Sequence, residues 1–287
     1  MAGKLIVLIL ASLSLLSISS ASILVLLSKA PSYACAFWRL AISTALLLIY
    51  GFARYRRIVL VEPAMLRYTV LSGIFLSLHF LLWMESLFHV PVAISTTIVV
   101  SYPLFSVVVD RYLLSEKITK KQILGLTIGF IGILLFLHPD IARGSIYGVL
   151  LSLGGALAAT AYFSIGKFVR KRAGLLEYTI PTYMVAATTT LLYILGIRGN
   201  LYNYDIESYA FFLLLAVIPM IGGHTVMNYL LRYMKTSSAT SIALGEPVGA
   251  SILAYIFLGQ ELGFLEVVLI AIVLSSVFMV ITEELRD

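Results

Sequence analysis

The sequence predicts an all-α membrane protein of ten transmembrane helices, arranged as two inverted five-helix repeats. Three observations carry this prediction. The 287 residues are 61% hydrophobic and only 12% charged, where a soluble domain carries about 25% charged residues. Apolar stretches of ~20 residues recur along the whole chain, each long enough to cross ~30 Å of hydrocarbon. A polar tract centred on a proline occurs twice, around Pro103 and around Pro247, 144 positions apart.

The apolar stretches place helices near 5–27, 33–54, 66–88, 92–114, 120–138, 145–168, 178–198, 208–230, 236–258 and 263–283. The first opens like a signal peptide, with Lys4 ahead of an apolar run. That run, Leu5 to Leu27, outlasts a signal core of roughly 7–15 residues, so it reads as a helix. The connectors are short and rich in turn formers, such as Ala30-Pro31-Ser32, His89-Val90-Pro91 and His138-Pro139-Asp140. Tight links make successive helices antiparallel neighbours. With the N-terminus inside, sixteen of the twenty Lys and Arg fall on the cytoplasmic side, and only Lys29, Arg39, Arg143 and Arg198 fall outside or near outer helix ends. This bias puts both termini in the cytoplasm. Tyr50, Tyr55, Tyr68, Tyr112, Tyr202, Tyr204 and Tyr209 sit near the expected interfaces, as aromatic belts do.

Setting Pro103 on Pro247 lays the fourth helix on the ninth and brings His79 within one residue of His224. It also brings Leu114-Ser115-Glu116 close to Leu258-Gly259-Gln260-Glu261. Each half holds five helices, so the second half, 141–287, enters the membrane upside down relative to the first, 1–140. In transporters built this way the binding site lies near the midplane between the repeats, and paired Gly or Pro interruptions point to it.

Glu246 is the foremost candidate residue. It lies near the middle of the ninth helix, where a charge costs at least ~2.5–3.5 kcal/mol and should face the protein interior. There it either carries a proton during transport or stays neutral and bonds to a neighbouring helix. Pro247 removes a backbone donor and crowds the preceding turn, which frees carbonyls near residue 243. Gly245 and Gly249 form a GxxxG pair suited to close helix approach. His224 and Asn228 are four apart and share a helix face, as do His79 and Trp83. Each of these pairs either lines a pathway or joins helices by hydrogen bonds. Tyr102-Pro103 is the matching break in the first half, with Tyr102 where the second half has Glu246. Arg39, two turns inside the second helix, either reaches outward, binds an anionic substrate group, or pairs with Glu85 as an outer gate. Gly125, Gly129 and Gly132 read as packing residues of the fifth helix. The Ser/Thr run from Thr236 to Ser241 is expected to cap the ninth.

At these residues the chain resembles the EamA family of the drug/metabolite transporter superfamily. The similarity rests on Gly223-His224-Thr225 through Asn228, Leu231-Arg232-Tyr233, Leu244-Gly245-Glu246-Pro247-Val248-Gly249 and Leu258-Gly259-Gln260-Glu261 in the second half. In the first half it rests on Phe37-Trp38-Arg39-Leu40, Leu78-His79-Phe80, Trp83, Ser86-Leu87, Val92-Ala93, Ser95-Thr96 and Pro103. Two departures stand out: the acid at Glu85, and Gln260 inserted before Glu261. The resemblance implies two EamA repeats and the export or exchange of small organic metabolites, such as amino acids, by alternating access.

Other functions find little support. There is no P-loop, HExxH, dinucleotide fingerprint or nucleophile elbow. One cysteine, Cys35, rules out an internal disulfide framework. The two histidines and Glu246 have no close ligand spacing, so neither metal nor cofactor is expected. The +6 net charge reads as topology rather than nucleic-acid binding. The expected protein is a multi-pass permease of the plasma membrane, monomer or homodimer, whose partners are the bilayer, a small metabolite and, with Glu246, protons. The competing readings are a channel or lipid scramblase, and an intramembrane enzyme.

Overall fold

The computed structural model describes residues 2–57, 59, 61–90, 92–136, 145–250, 253 and 264–286, and every regular element among them is a helix. A chain in hydrocarbon must satisfy its backbone within each segment, and helices do so. Seven stretches are long and apolar enough to span a membrane: Gly3–Leu27, Ser32–Tyr55, Pro63–Ser86, Ile146–Arg170, Leu175–Gly196, Ile206–Leu230 and Val267–Glu284. The chain is a multi-pass membrane protein. In chain order its elements begin with α1 (Ala2–Ser19), α2 (Ala21–Leu27), α3 (Ser32–Tyr55), α4 (Pro63–Ser86), α5 (Val92–Val99) and α6 (Tyr102–Tyr112). They continue with α7 (Lys120–Phe136), α8 (Ile146–Arg170), α9 (Leu175–Gly196) and α10 (Ile206–Leu215). A π-helical stretch (Ala216–Thr225) joins α10 to α11 (Val226–Leu230). Next come α12 (Thr236–Thr240), a 3₁₀ stretch (Ser241–Gly245) and, last, α13 (Phe264–Glu284). The chain is helical again over 246–250. The connector His138-Pro139-Asp140, Pro91 and the Leu258-Gly259-Gln260-Glu261 tract lie outside the described residues.

The interruptions follow from proline. A proline ring clashes with the carbonyl four residues earlier and lacks the donor that would bond it. α5 ends at Val99, four before Pro103. α10 ends at Leu215, four before Pro219, and the chain then widens to i→i+5 bonding. Ala243, four before Pro247, sits in the 3₁₀ stretch. Such departures from α geometry concentrate at functional sites.

Helices from the first half of the chain pack mostly on helices from the second. α4 lies against α8 and α9, α3 against α9, α1 against the π stretch, and α7 against α13. Small residues set these distances. A Cβ on Gly73 would come within 2.6 Å of the Thr182 carbonyl oxygen and 2.7 Å of Val185 Cβ. Gly125, Gly129 and Gly132 face Val280, Ser276 and Val273 of α13 in the same manner, which is the packing role expected of them.

One end of the molecule is closed by charge. Asp110, at the end of α6 and fully buried, accepts hydrogen bonds from the backbone N–H groups of Thr236 (3.2 Å) and Ser237 (2.6 Å). The cap of α12 is therefore a carboxylate from another helix rather than the expected Ser/Thr side chains, because an anion at a helix N-terminus satisfies the orphan donors and the dipole together. Glu284 of α13 takes the Lys235 ammonium at 3.1 Å and the Gln122 amide at 2.6 Å. Glu116, in the loop after α6, takes Lys171 at 2.8 Å. Lys167 does not belong to an exposed cluster: it is buried and donates to the Met234 carbonyl at 2.6 Å.

Two predictions follow from this packing. Gly73→Ala overfills the α4–α9 contact and lowers stability by about 1–3 kcal/mol, measured as a drop in the melting temperature of detergent-purified protein; an unchanged melting point would show that contact to be slack. Burial acts to raise the Glu116 carboxyl, but its hydrogen bond from Lys171 and the charges of Lys167, Lys171 and Lys235 outweigh it and hold the group below the usual carboxylate range. A depressed folded-state value stabilises the fold above the unfolded value of roughly pH 4.3, and that contribution is lost as pH falls through the folded value. Glu116→Gln should therefore flatten the acid side of the stability-versus-pH curve and leave its slope near neutrality unchanged.

Candidate functional site

The helix breaks converge on one enclosed space. A cavity of about 20 Å³ is lined by Ile18, Ala21, Arg39, His79, Trp83, Val99, Tyr102, His224 and Glu246. It is large enough for about one water molecule and far below the ~300–1,000 Å³ of a metabolite site. Arg39, His79 and Trp83 come from the unbroken α3 and α4, and the other lining residues lie at irregularities. Ile18 and Ala21 flank the junction between α1 and α2, Val99 and Tyr102 flank the α5–α6 break, His224 lies in the π stretch, and Glu246 follows the 3₁₀ stretch.

Five of the expected pathway residues therefore meet: His79, Trp83, Tyr102, His224 and Glu246. His79 Nδ1 donates to the Gly155 carbonyl at 2.9 Å, which leaves Nε2 of the neutral ring as an acceptor. The His79 ring stacks on Trp83 with centroids 6.1 Å apart and meets Tyr102 edge-on at 6.5 Å. His224 lies 5.8 Å from His79 and stacks on Phe163 at 5.6 Å.

Asn228 is not part of the cavity wall. Its amide nitrogen donates to the Tyr162 hydroxyl at 2.5 Å and to the Tyr183 hydroxyl at 3.4 Å. Two large phenols fill the space between it and the centre, so its geometry is that of a helix-joining residue. The GxxxG pair also has a specific partner. A Cβ on Gly245 would come within 2.7 Å of Leu15, and one on Gly249 would overlap Ser19, so both glycines admit α1. Pro103 is buried at the start of α6, and Pro247 follows Glu246 in the wall segment.

The expected Arg39–Glu85 gate does not form. Glu85 accepts from Ser32 Oγ at 2.5 Å and from His89 at 3.0 Å, which fixes it level with the first residue of α3. Arg39 lies two turns deeper, about 10 Å along that helix, and its side chain turns into the cavity. It is completely buried. Its guanidinium carbon sits 4.1 Å above the Phe80 ring, a favourable cation–π geometry. None of its three nitrogens has a hydrogen-bond partner among the described residues, and the same holds for Trp83 Nε1 and His224 Nδ1. Glu246 lines the same cavity and is 7% exposed, yet it makes no contact ion pair with Arg39. Sequence reasoning put Arg39 two turns inside its helix and left open whether it reached outward, paired with Glu85 or bound an anionic group; a permanently charged residue in an apolar segment was the signal for an interior role. No group of three or more His, Cys, Asp or Glu among the described residues is arranged to hold a metal.

The model of the EamA-like transporter family matches residues 3–138 and 146–282. A protein of Archaeoglobus fulgidus described as an uncharacterized transporter is 26% identical over 169 residues, covering 58% of this chain and 59% of that protein. The uncharacterized inner membrane transporter YedA of Escherichia coli K12 is 26% identical over 195 residues, covering 67% of this chain and 62% of YedA. The matches thus span about three fifths of each relative's length. One solved crystal structure superposes with a TM-score of 0.78 over 97% of this chain and 98% of its own, at 16% sequence identity, a likeness of fold. Removing the helix-joining amide should be costly whatever the protein carries: Asn228→Leu leaves the buried Tyr162 hydroxyl without its donor, for a loss of about 1–3 kcal/mol, read as a lower melting temperature that Asn228→Gln partly restores.

Proposed function

The chain belongs to the EamA-like transporter family, and from that premise we propose that it is a secondary transporter moving a small organic metabolite, such as an amino acid, by alternating access. The observation that supports this best is the meeting of Arg39, His79, Trp83, Tyr102, His224 and Glu246 at one buried cavity, the last three of them at helix interruptions. Polar groups inside a membrane are expensive and mark substrate or ion pathways.

In this reading the seven evident spans are joined by α5 with α6, by α7, and by the segment beginning at α12, which makes ten crossings. The family model matches twice, over 3–138 and 146–282, which supports reading 1–140 and 141–287 as two repeats, inverted because each holds five crossings. The end carrying Asp110, Glu116, Lys171, Lys235 and Glu284 is cytoplasmic, by the excess of positive charge there, and both termini lie on that side of the plasma membrane. The Asp110 cap and the Lys235–Glu284 pair then form a closed inner gate. It lies about 12 Å along α6 from Tyr102. The outer faces of α7 and α13 are apolar and exposed, with Ile128, Val268 and Ile272 among them, and would meet lipid or a second copy.

Glu246 is the proton-carrying group of this cycle. In proteoliposomes the wild-type protein shows saturable counterflow whose rate depends on pH. Glu246→Gln lowers that rate at least about tenfold and removes its pH dependence. An unchanged rate and pH profile would retire Glu246 as a carrier of protons, and non-saturable flux in the wild type would point to a channel.

A further inference from the structure

Of the five polar atoms on the cavity wall left without partners among the described residues, four share one character; the fifth, His224 Nδ1, donates or accepts according to its tautomer. Arg39 offers Nε, Nη1 and Nη2, and Trp83 offers Nε1; all four are buried and unbonded among the described residues. Arginine and the indole nitrogen are donors only. A buried donor without an acceptor costs about 1–3 kcal/mol, and more when it is charged. The cavity wall is therefore built to receive an acceptor, and beside a guanidinium that acceptor is an anion.

From this we propose that Arg39 and the Trp83 N–H bind a carboxylate of the transported compound and so set its chemical class. The proposal rests on the transporter reading above and deepens it. A planar guanidinium matches a carboxylate bidentately. One positive charge balances one negative charge, so a singly charged carboxylate fits better than a phosphate dianion, which would bring a second charge to the membrane centre. Phe80 covers a face of the guanidinium, and a bidentate carboxylate uses its N–H edge.

Glu246 completes the charge balance. With no ligand, Arg39 and an ionised Glu246 cancel across the cavity. A simple carboxylate then adds one negative charge, which a proton taken up by Glu246 offsets. A compound with its own ammonium group places that cation beside Glu246 and needs no proton. The other titratable groups facing Glu246 here are His79, Tyr102 and His224; from the first helical span only Ile18 and Ala21 face it.

The test uses the purified full chain and a panel of small carboxylates, from acetate to phenylacetate with alanine and phenylalanine included. Each is compared with its methyl ester and with a matched phosphate monoester by thermal stabilisation between pH 6 and 8. The carboxylates stabilise the wild type and the esters do not. Among them the simple carboxylates bind more tightly toward pH 6, and the zwitterions bind equally across the range. Arg39→Met weakens carboxylate binding by about thirtyfold or more, and Arg39→Lys recovers part of it. Glu246→Gln binds simple carboxylates with no pH dependence. Should Arg39→Met fail to fold, the charge-neutral double variant Arg39→Met/Glu246→Gln replaces it and shows the same loss. Methyl esters or phosphate monoesters binding as well as the carboxylates, no stabilisation by any carboxylate, or binding unchanged in the Arg39 variants would each overturn the assignment. Counterflow separates the two readings. Saturable exchange of a neutral or cationic compound alone would keep the transporter and discard the carboxylate site. Arg39-dependent carboxylate binding without any saturable exchange would do the reverse.

Discussion

A guanidinium held in the middle of a membrane protein without a hydrogen bond among the described residues is the constraint about which this structure is arranged. Arg39 has no water beside it beyond what a cavity of about 20 Å³ could admit. Its charge is tolerated through the face of Phe80 at 4.1 Å and through Glu246 across the cavity. Neither partner is available from α3 itself. Phe80 is brought by α4, and Glu246 by the interrupted segment that begins with α12. Helices from both halves of the chain have to be docked before this charge has surroundings it can occupy, and the glycines at 73, 245 and 249 permit that docking.

The prolines connect sequence to architecture most directly. Pro103, Pro219 and Pro247 each disturb the helix four residues upstream, and each disturbance borders or leads into the cavity wall. The breaks at Pro103 and Pro247 were legible in the sequence because a ring clash is local. So was the meeting of His79 with His224, since matched positions in related halves converge. Other features were not legible. Topology put Glu85 near the outer end of its helix and Arg39 two turns inside its own, but only the bond from Ser32 fixes Glu85 level with the start of α3 and away from Arg39. Asn228 shares a helix face with His224, yet Tyr162 and Tyr183 come from other helices and occupy the intervening space. The widening at 216–225 likewise needs tertiary packing as well as Pro219. The cap on α12 came from Asp110, 126 residues away, where local reading looked to the neighbouring Ser and Thr.

The cavity and the charged end are two parts of one state. The cavity of about 20 Å³ gathers the unpartnered donors of Arg39 and Trp83 into one small space. At the same time Asp110 and Glu284 bind the start of α12, so the segment leading to Glu246 is fixed at its origin. Movement of that segment would be shared by the 3₁₀ stretch, which has the poorer hydrogen-bond geometry, and by the helix end that Asp110 holds. A change at the cavity and a change at that end are therefore mechanically connected through about ten residues.

The contact between α1 and the π stretch has a consequence for how the protein is made. Ser14 Oγ bonds to the Gly223 carbonyl at 3.1 Å across 209 residues, and Leu15 and Ser19 fill the spaces left by Gly245 and Gly249. α1 is synthesised well ahead of its partners, which lie more than 200 residues downstream. It must wait in the bilayer, facing lipid with serines that later turn inward, until most of the chain has been inserted. Assembly of the central cavity is thus a late, post-insertion event, and a chain halted before residue 216 would hold α1 in the membrane with no place to dock.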